Sequence, residues 1–150
     1  MPVLEVEQSF PLPREEVFRF FANAHNLEAI TPPWLRFRIL TPPPVDMRQG
    51  ALIDYTLRLR GLPVRWTSEI TEWEPPYRFV DEQRRGPYRR WTHEHTFIEE
   101  NGATLVCDRV DYAVPGGKLV NRLLVERDLA RIFAYRRTAL AVLLAAPLEG

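Results

Sequence analysis

Hydrophobic and polar residues alternate along most of the chain up to residue 114, and this alternation predicts β-strands. The predicted strands cover residues 3–10, 35–40, 51–60, 64–73, 78–85, 88–99 and 104–114. Proline and glycine turns separate them, including 61–63, 86–87 and the Asn101-Gly102 pair, which is a strong hairpin signal. The last six strands follow one another through links too short for parallel crossovers, so we expect antiparallel pairing.

Helical spacing replaces the alternation in three places. Two short helices are predicted after the first strand, at residues 14–22 and 26–30, and a long amphipathic helix at 118–146. The predicted buried stripe of the long helix is Leu119, Leu123, Ala130, Phe133, Leu140 and Leu144. One helix has a wide sheet to cover, so the sheet must twist and curl around it. The pattern predicts an α+β fold: a seven-stranded, curved antiparallel sheet wrapped around a long C-terminal helix, with a space between them.

Length and composition limit the possible functions. The 150 residues fit one domain, 1–150. Twenty basic and twenty acidic side chains cancel, so no net charge attracts nucleic acid or an anionic membrane. The single cysteine, Cys107, fits a reducing compartment. The sequence shows neither a signal peptide nor an apolar run of about 18 residues, which predicts a cytoplasmic protein without integral membrane association and without bound nucleic acid.

Histidines on the apolar face of the strand at 88–99 are the main candidate chemistry. Trp91, His93, His95 and Phe97 alternate with polar residues and share that face. In the next strand, Asp108 falls on the same face as Val106 and Val110. A buried carboxylate is costly unless it is paired, so His93 or His95 is its expected partner.

Aromatic residues at inward positions are the candidate walls of a cavity. Alternation in the other strands turns Tyr55, Trp66 and Tyr112 inward, and Phe133 lies on the helix stripe. The predicted ligand-binding set is therefore Tyr55, Trp66, Trp91, His93, His95, Phe97, Asp108, Tyr112 and Phe133. In the strand at 78–85 the faces of Phe79 and Val80 compete, and the set with Phe79 and Asp81 is favoured.

Four roles are open for His93, His95 and Asp108. They can form a structural hydrogen-bond network, anchor a ligand oxygen, move protons as catalytic residues, or hold a metal. We expect no metal and no cofactor, because two histidines and Asp108 form a thin donor set and His25 is distant in sequence. The arginine pairs 84–85 and 89–90 flank Gly86-Pro87, and Asp81, Glu82 and Glu94 stand near them, which predicts a solvated charged hairpin.

In the order of its elements the chain resembles the START/Bet v 1-like superfamily, which includes polyketide cyclases and dehydrases. The resemblance is also carried by the runs WEPPYRFVDEQRRGPYRRWTHEHTF, DRVDYAVPGG and RIFAYRR. The resemblance covers essentially the whole chain and implies a helix-grip fold with a hydrophobic-ligand pocket under the long helix. These runs are similar to a bacterial subgroup in which some members carry epimerase-like domains. The same fold serves carriers, sensors and enzymes, so the resemblance does not imply one chemistry.

Two functions follow as leading hypotheses. The first is a binding module that encloses a small apolar or amphipathic molecule in a cavity of at least about 300 Å³, as a monomer or homodimer. The alternative is an enzyme of the cyclase or dehydrase type in which His93, His95 and Asp108 transfer protons. A protein-interaction role would require a large exposed apolar patch.

Overall fold

The computed structural model describes residues 2–145, apart from the side chain of Leu123. Its seven strands are β1 (Val3–Phe10), β2 (Arg38–Ile39), β3 (Leu52–Leu59), β4 (Leu62–Glu74), β5 (Arg78–Arg85), β6 (Arg90–Glu100) and β7 (Ala103–Ala113). The helices are α1 (Arg14–Phe21), α2 (Leu27–Ile30), α3 (Gly117–Val120) and α4 (Glu126–Leu143), and a π-helical turn at Asn121–Val125 joins the last two. The predicted α+β helix-grip fold is confirmed.

The sheet is antiparallel and has the order β1-β7-β6-β5-β4-β3-β2. Its six later strands form the predicted meander, and β1 pairs with β7 to complete the sheet. At the β6–β7 hairpin, Asn101 and Gly102 both have positive φ, at 52° and 80°, as a tight two-residue turn requires. Register shifts interrupt the β4–β5 pairing, and such irregularities increase local bending and twist.

The register fixes which functional side chains are neighbours. Asp108 of β7 pairs with His95 of β6, and His95 pairs with Phe79 of β5. Asp81, two residues further along β5, pairs with His93. Since alternate residues of a strand share a face, these residues all lie on the side that faces α4.

Two predicted strand boundaries need correction. Residues 35–40 do not form one strand, because a 3₁₀ turn at Pro33–Leu35 and a left-handed Arg36 leave only Arg38–Ile39 to pair. Leu62 lies in β4 rather than in the turn, which is made by Arg60 and Gly61 with φ of 51° and 79°. Both residues adopt the left-handed conformation that a tight hairpin needs.

The predicted stripe of the long helix is only partly correct. Phe133, Leu140 and Leu144 are buried, but Leu119 is 67% exposed and Ala130 is also exposed. The π turn between α3 and α4 adds a residue to one turn and so changes the phase of the helix faces. The buried positions of α4 are Leu129, Phe133, Arg136 and Leu140. Helix α4 ends at Leu143, with Leu144 as its C-cap, so the predicted helix end at 146 is wrong; the predicted burial of Leu123 lies outside what the structure describes.

Apolar packing joins α1, α2 and α4 to the concave face of the sheet. The rings of Phe18 and Phe97 are 5.1 Å apart and those of Phe21 and Phe97 are 5.5 Å apart. This aromatic packing fills one end of the space under α4 and leaves the middle less filled. Within residues 2–145, no helix is both long and apolar enough to cross a membrane.

Candidate functional site

A cavity of about 190 Å³ lies between the concave face of the sheet and α4, and it is partly open to solvent. Strands β3 and β4 supply one wall, and α4 supplies the other. The apolar lining includes Leu35, Phe37, Ile53, Leu57, Trp66, Leu129, Ile132 and Phe133. The expected volume of at least about 300 Å³ is wrong, because large aromatic side chains occupy much of the space under the helix.

Hydroxyl and indole groups on the cavity wall form hydrogen bonds with one another. Ser68 Oγ accepts a hydrogen bond from Trp66 Nε1 at 3.0 Å and lies 3.1 Å from the hydroxyl of Tyr55. The rings of Tyr55 and Trp66 are stacked, with their centroids 5.8 Å apart. Burial raises the pKa of Tyr55 far above its usual value, so the phenol stays neutral.

Five side chains form a buried polar cluster beside the cavity: Asp81, His93, His95, Asp108 and Arg136. His93 Nε2 lies 2.8 Å from Asp108 Oδ1, and His95 Nε2 lies 2.7 Å from Asp81 Oδ2. Arg136 reaches down from α4 to 3.4 Å from the same Asp108 oxygen. The two imidazole rings stack on each other with centroids 3.7 Å apart.

His95 lies between two carboxylates. Its Nδ1 is 3.2 Å from Asp108 Oδ1, while its Nε2 hydrogen-bonds to Asp81. Burial alone would lower the pKa of His95, but the hydrogen bond to Asp81, the close contact of Nδ1 with Asp108 and the charges of both carboxylates together outweigh burial and raise it. A carboxylate at each ring nitrogen favours a proton on both, so the structure favours the imidazolium form of His95.

His93 has the opposite tendency. Burial lowers the pKa of His93, the charge of the adjacent His95 lowers it further, and the hydrogen bond to Asp108 with the charges of Asp108 and Asp81 offsets only part of this. His93 is therefore neutral and donates its Nε2 proton to Asp108. The two stacked imidazoles thus differ in charge because their partners differ.

The positive and negative charges within the buried polar cluster cancel. Burial opposes ionisation of Asp108, but the charge of Arg136 and the bonds from both histidines hold the pKa of Asp108 well below its usual value. Burial likewise opposes ionisation of Asp81, but the bond from His95 and the charges of His93, His95 and Arg136 together outweigh it, so the pKa of Asp81 is also lowered. Two carboxylates face one imidazolium and one guanidinium, which makes the cluster neutral as a whole.

Arg136 is the member of the cluster that the sequence analysis missed. It is buried, and its guanidinium carbon lies 5.5 Å and 5.6 Å from the ring centroids of Phe21 and Phe133. The available signal was helical spacing, since Arg136 lies between Phe133 and Leu140 on the buried face of α4. Its Nε has no hydrogen-bond partner among the described residues.

The structure places six of the nine predicted ligand-binding residues on the cavity wall. They are Tyr55, Trp66, Trp91, His93, His95 and Phe133. The other three, Phe97, Asp108 and Tyr112, are buried but do not line the cavity. Phe97 packs among the phenylalanines of α1, Asp108 lies beneath the imidazoles, and Tyr112 packs beside Trp91 with ring centroids 6.2 Å apart.

Asp81 joins the wall from β5, on the face that was favoured for Phe79. It is also the carboxylate whose oxygen, with one nitrogen each from His93 and His95, forms a group of donor atoms within 4.8 Å of one another. The predicted donor set contained Asp108 in its place. Around the cavity, the outward arginines are paired as a solvated hairpin requires: Arg84 with Glu69 at 2.9 Å and Arg90 with Asp111.

Comparisons with known proteins agree with the fold. The family model "Polyketide cyclase / dehydrase and lipid transport" matches residues 10–133. Zhui aromatase/cyclase from Streptomyces sp. R1128 is 16% identical, with a TM-score of 0.74 over 95% of this chain and 93% of that chain. Major latex-like protein 151 from Panax ginseng is 11% identical, with a TM-score of 0.70 over 97% of this chain and 98% of that chain.

A longer protein also contains this fold. A nucleoside-diphosphate sugar epimerase from Corynebacterium glutamicum is 24% identical, with a TM-score of 0.68 over 91% of this chain but only 28% of that chain. A comparison with curated proteins found no match. Identities this low show a shared fold only. Because the family match spans most of the sequence, the chain belongs to the polyketide cyclase/dehydrase and lipid transport family of the START/Bet v 1-like superfamily.

Proposed function

We propose that this protein binds a small apolar or amphipathic molecule in the cavity and orients it with the buried polar cluster. The observation that carries the proposal is the contrast within one cavity. Apolar side chains form most of its wall, and His93, His95 and Arg136 meet it at one end. An apolar enclosure with a few convergent polar groups is the usual form of a small-molecule site.

The cavity volume limits the ligand. An engineered protein cavity of about 150 Å³ holds one benzene molecule. At about 190 Å³, the cavity described here is only slightly larger. A compound with one or two aromatic rings, or a short-chain amphiphile, suits this space, whereas a four-ring compound or a long lipid requires the walls to move.

Arg136 gives the ligand a polar anchor. Arg136 lines the cavity, and its Nε–H is buried without a partner within the described structure; a turn of the guanidinium that brings this N–H to the cavity would let an oxygen of the ligand accept its hydrogen bond. A buried donor without a partner costs free energy, and binding a carbonyl, phenol or hydroxyl oxygen would remove that cost. The favoured ligand therefore carries an oxygen at one end of an apolar ring system.

Access to the cavity is proposed between the β3–β4 hairpin and α4. Leu35, Leu59 and Ile132 line both the cavity and a second, outer pocket. Across that outer pocket, Arg60 of the hairpin turn forms a 3.3 Å ion pair with Asp128 of α4. This exposed pair is the main polar contact that a ligand entering by this route would have to open.

Calorimetric titration with 2-naphthol tests the proposal. Ile53 lines the cavity, and its neighbour Leu52 is 56% exposed on the opposite face of β3. Ile53→Trp should fill the cavity and weaken binding at least about tenfold, the effect of losing about 1.4 kcal/mol. Leu52→Trp adds the same indole outside the cavity and should bind as the wild type does.

The size limit provides a second measurement that needs no variant. 1-Hydroxypyrene, with four rings and the same hydroxyl, should bind the wild-type protein much more weakly than 2-naphthol. Equal binding of 2-naphthol to Ile53→Trp and wild type would contradict the cavity as the site. Thermal unfolding of both variants should show that each is folded before the affinities are compared.

A second candidate function, proton transfer of the cyclase or dehydrase type, is favoured by one observation. His93 lines the cavity, and Asp108 holds its other side from beneath at 2.8 Å, an arrangement that can orient an imidazole for proton transfer. Deuterium exchange at the α-carbon of acetophenone, followed by proton NMR, tests it. Exchange faster than in buffer, and lost in His93→Gln, would support an enzyme; exchange at the buffer rate would leave the binding function.

A further inference from the structure

We propose that Asp81, His93 and His95 form a site for a divalent transition-metal ion that opens into the cavity. The three side chains can each offer one donor atom, and these atoms lie within 4.8 Å of one another. Two imidazoles and one carboxylate suit zinc or non-haem iron, which bind such sets with open coordination positions. The metal proposal does not depend on the ligand-binding function, although both use His93 and His95, because it rests on the donor atoms and not on any organic molecule.

The strands already place the donors close to the required spacing. Two ligands bound about 2.0–2.1 Å from one metal, at an angle near 90–110°, are roughly 3 Å apart. Asp81 Oδ2 and His95 Nε2 are 2.7 Å apart and share a proton. Replacing that proton with a metal ion keeps nearly the same separation of the two donors, but it requires the Asp81 carboxylate to turn off the N–H···O line so that both donors point at the ion.

Asp108 fits the role of a supporting carboxylate. It lies 2.8 Å from Nε2 of His93 and 3.2 Å from Nδ1 of His95, so it engages one nitrogen of each imidazole and leaves the other. Metal-binding histidines usually donate their second nitrogen to a carboxylate in this way, which fixes the ring and increases its basicity. One buried carboxylate serving both histidines explains why Asp108 is near the donors without lining the cavity.

The charge of the cluster defines what the open position would accept. Metal binding displaces a proton from His95 and leaves two carboxylates facing Arg136 and a doubly charged ion. The site then carries one excess positive charge, and an anionic or strongly polar oxygen from the cavity would neutralise it. The sequence-based expectation of no metal counted Asp108 as the only carboxylate, and Asp81 changes that donor set.

Metal titration of the full-length protein tests the proposal. The purified chain is treated with a chelator, dialysed, and titrated with zinc chloride by calorimetry and with cobalt chloride by visible absorption. We expect one ion per chain with micromolar or tighter affinity, and a cobalt spectrum of a four- or five-coordinate site. Asp81→Asn should weaken zinc binding by about 100-fold or more, and Asp108→Asn by about 10–100-fold.

Glu94→Gln is the matched control. Glu94 lies between the two histidines on β6 but faces the other side of the sheet, where it bonds to Arg78 at 2.7 Å. The Glu94→Gln substitution removes one negative charge, as Asp81→Asn does, from the strand that carries both histidines, and it should leave zinc affinity unchanged. The proposal is overturned if the wild-type chain binds no ion, or if Asp81→Asn binds zinc as tightly as Glu94→Gln. Because Asp81 is less buried than Asp108, Asp81→Asn keeps the test valid if Asp108→Asn fails to fold.

Discussion

Replacing Asp108 with alanine removes the carboxylate that contacts three other members of the buried polar cluster. Its side chain is 8% exposed and lies within 3.4 Å of His93, His95 and Arg136. Without it, the guanidinium of Arg136 remains buried with its nearest carboxylate removed. Breaking a buried ion pair by removing one partner costs about 3–5 kcal/mol.

This loss is large relative to the stability of the protein. A domain of this kind is stable by about 5–15 kcal/mol, so a loss of about 3–5 kcal/mol in Asp108→Ala should remove roughly a fifth of the stability or more. Urea unfolding followed by circular dichroism measures the effect as a lower midpoint at unchanged slope. Asp111→Ala, three residues along β7, is the control: Asp111 pairs with Arg90 at the surface, and its loss should cost no more than about 1 kcal/mol.

A double variant identifies the cause of the loss. Arg136→Met removes the charge that Asp108 balances and keeps an apolar side chain on α4. If unpaired charge causes the damage, Asp108→Ala combined with Arg136→Met should be more stable than the sum of the two single effects predicts, by about 1–3 kcal/mol. A loss below about 1 kcal/mol for Asp108→Ala, or strict additivity, would refute the reasoning that the cluster is a balanced set of buried charges.

Three further predictions concern the helix, the cavity wall and its opening. Phe133→Ala should lower the unfolding free energy by about 3–5 kcal/mol in urea, because Phe133 is buried between α4 and the sheet. Burial raises the pKa of Tyr55, so the unfolded state loses the phenol proton first and the unfolding free energy falls as the pH rises above about 10. In unfolding measurements at pH 9–11, Tyr55→Phe should lessen this fall by up to about 1.4 kcal/mol per pH unit. Arg60→Ala should speed 2-naphthol association in stopped-flow fluorescence without changing unfolding by more than about 1 kcal/mol; an unchanged rate would argue against access beside Asp128.

Alternation in sequence was sufficient for most of the sheet and for three of the five members of the buried polar cluster. His93, His95 and Asp108 each share a face with apolar neighbours on regular strands, so parity alone places them inward. Their pairing follows from the Asn101-Gly102 hairpin, whose short turn sets the register of β6 and β7.

Asp81 was placed on the favoured inward face but not in the cluster, and Arg136 was not predicted, because local rules gave conflicting signals. In β5 both Phe79 and Val80 are buried, so the pattern did not separate the two faces and left Asp81 uncertain. Arg136 is charged, and charged residues on an amphipathic helix are expected outside; only the carboxylate of Asp108 on another element makes its burial favourable. Such a pairing depends on tertiary structure and is absent from the helix pattern.

The phase of the long helix was wrong for a similar reason. A strict 3.6-residue period assigned Leu119 and Ala130 to the buried stripe, whereas the π turn at Asn121–Val125 separates two helical segments with different phases. The cavity volume was also overestimated. Alternation identifies which rings point inward, but only their packing determines how much space they leave.

Intermolecular NMR contacts between 2-naphthol and methyl-labelled protein test the central claim most directly. The claim is that the ligand lies between the sheet and α4, so nuclear Overhauser effects should connect naphthol protons to the methyl groups of Ile53, Leu57 and Leu129, which line the cavity. The methyls of Leu52 and Leu62, which are 56% and 69% exposed, should show none. Contacts to the exposed leucines with none to the cavity methyls would contradict the account.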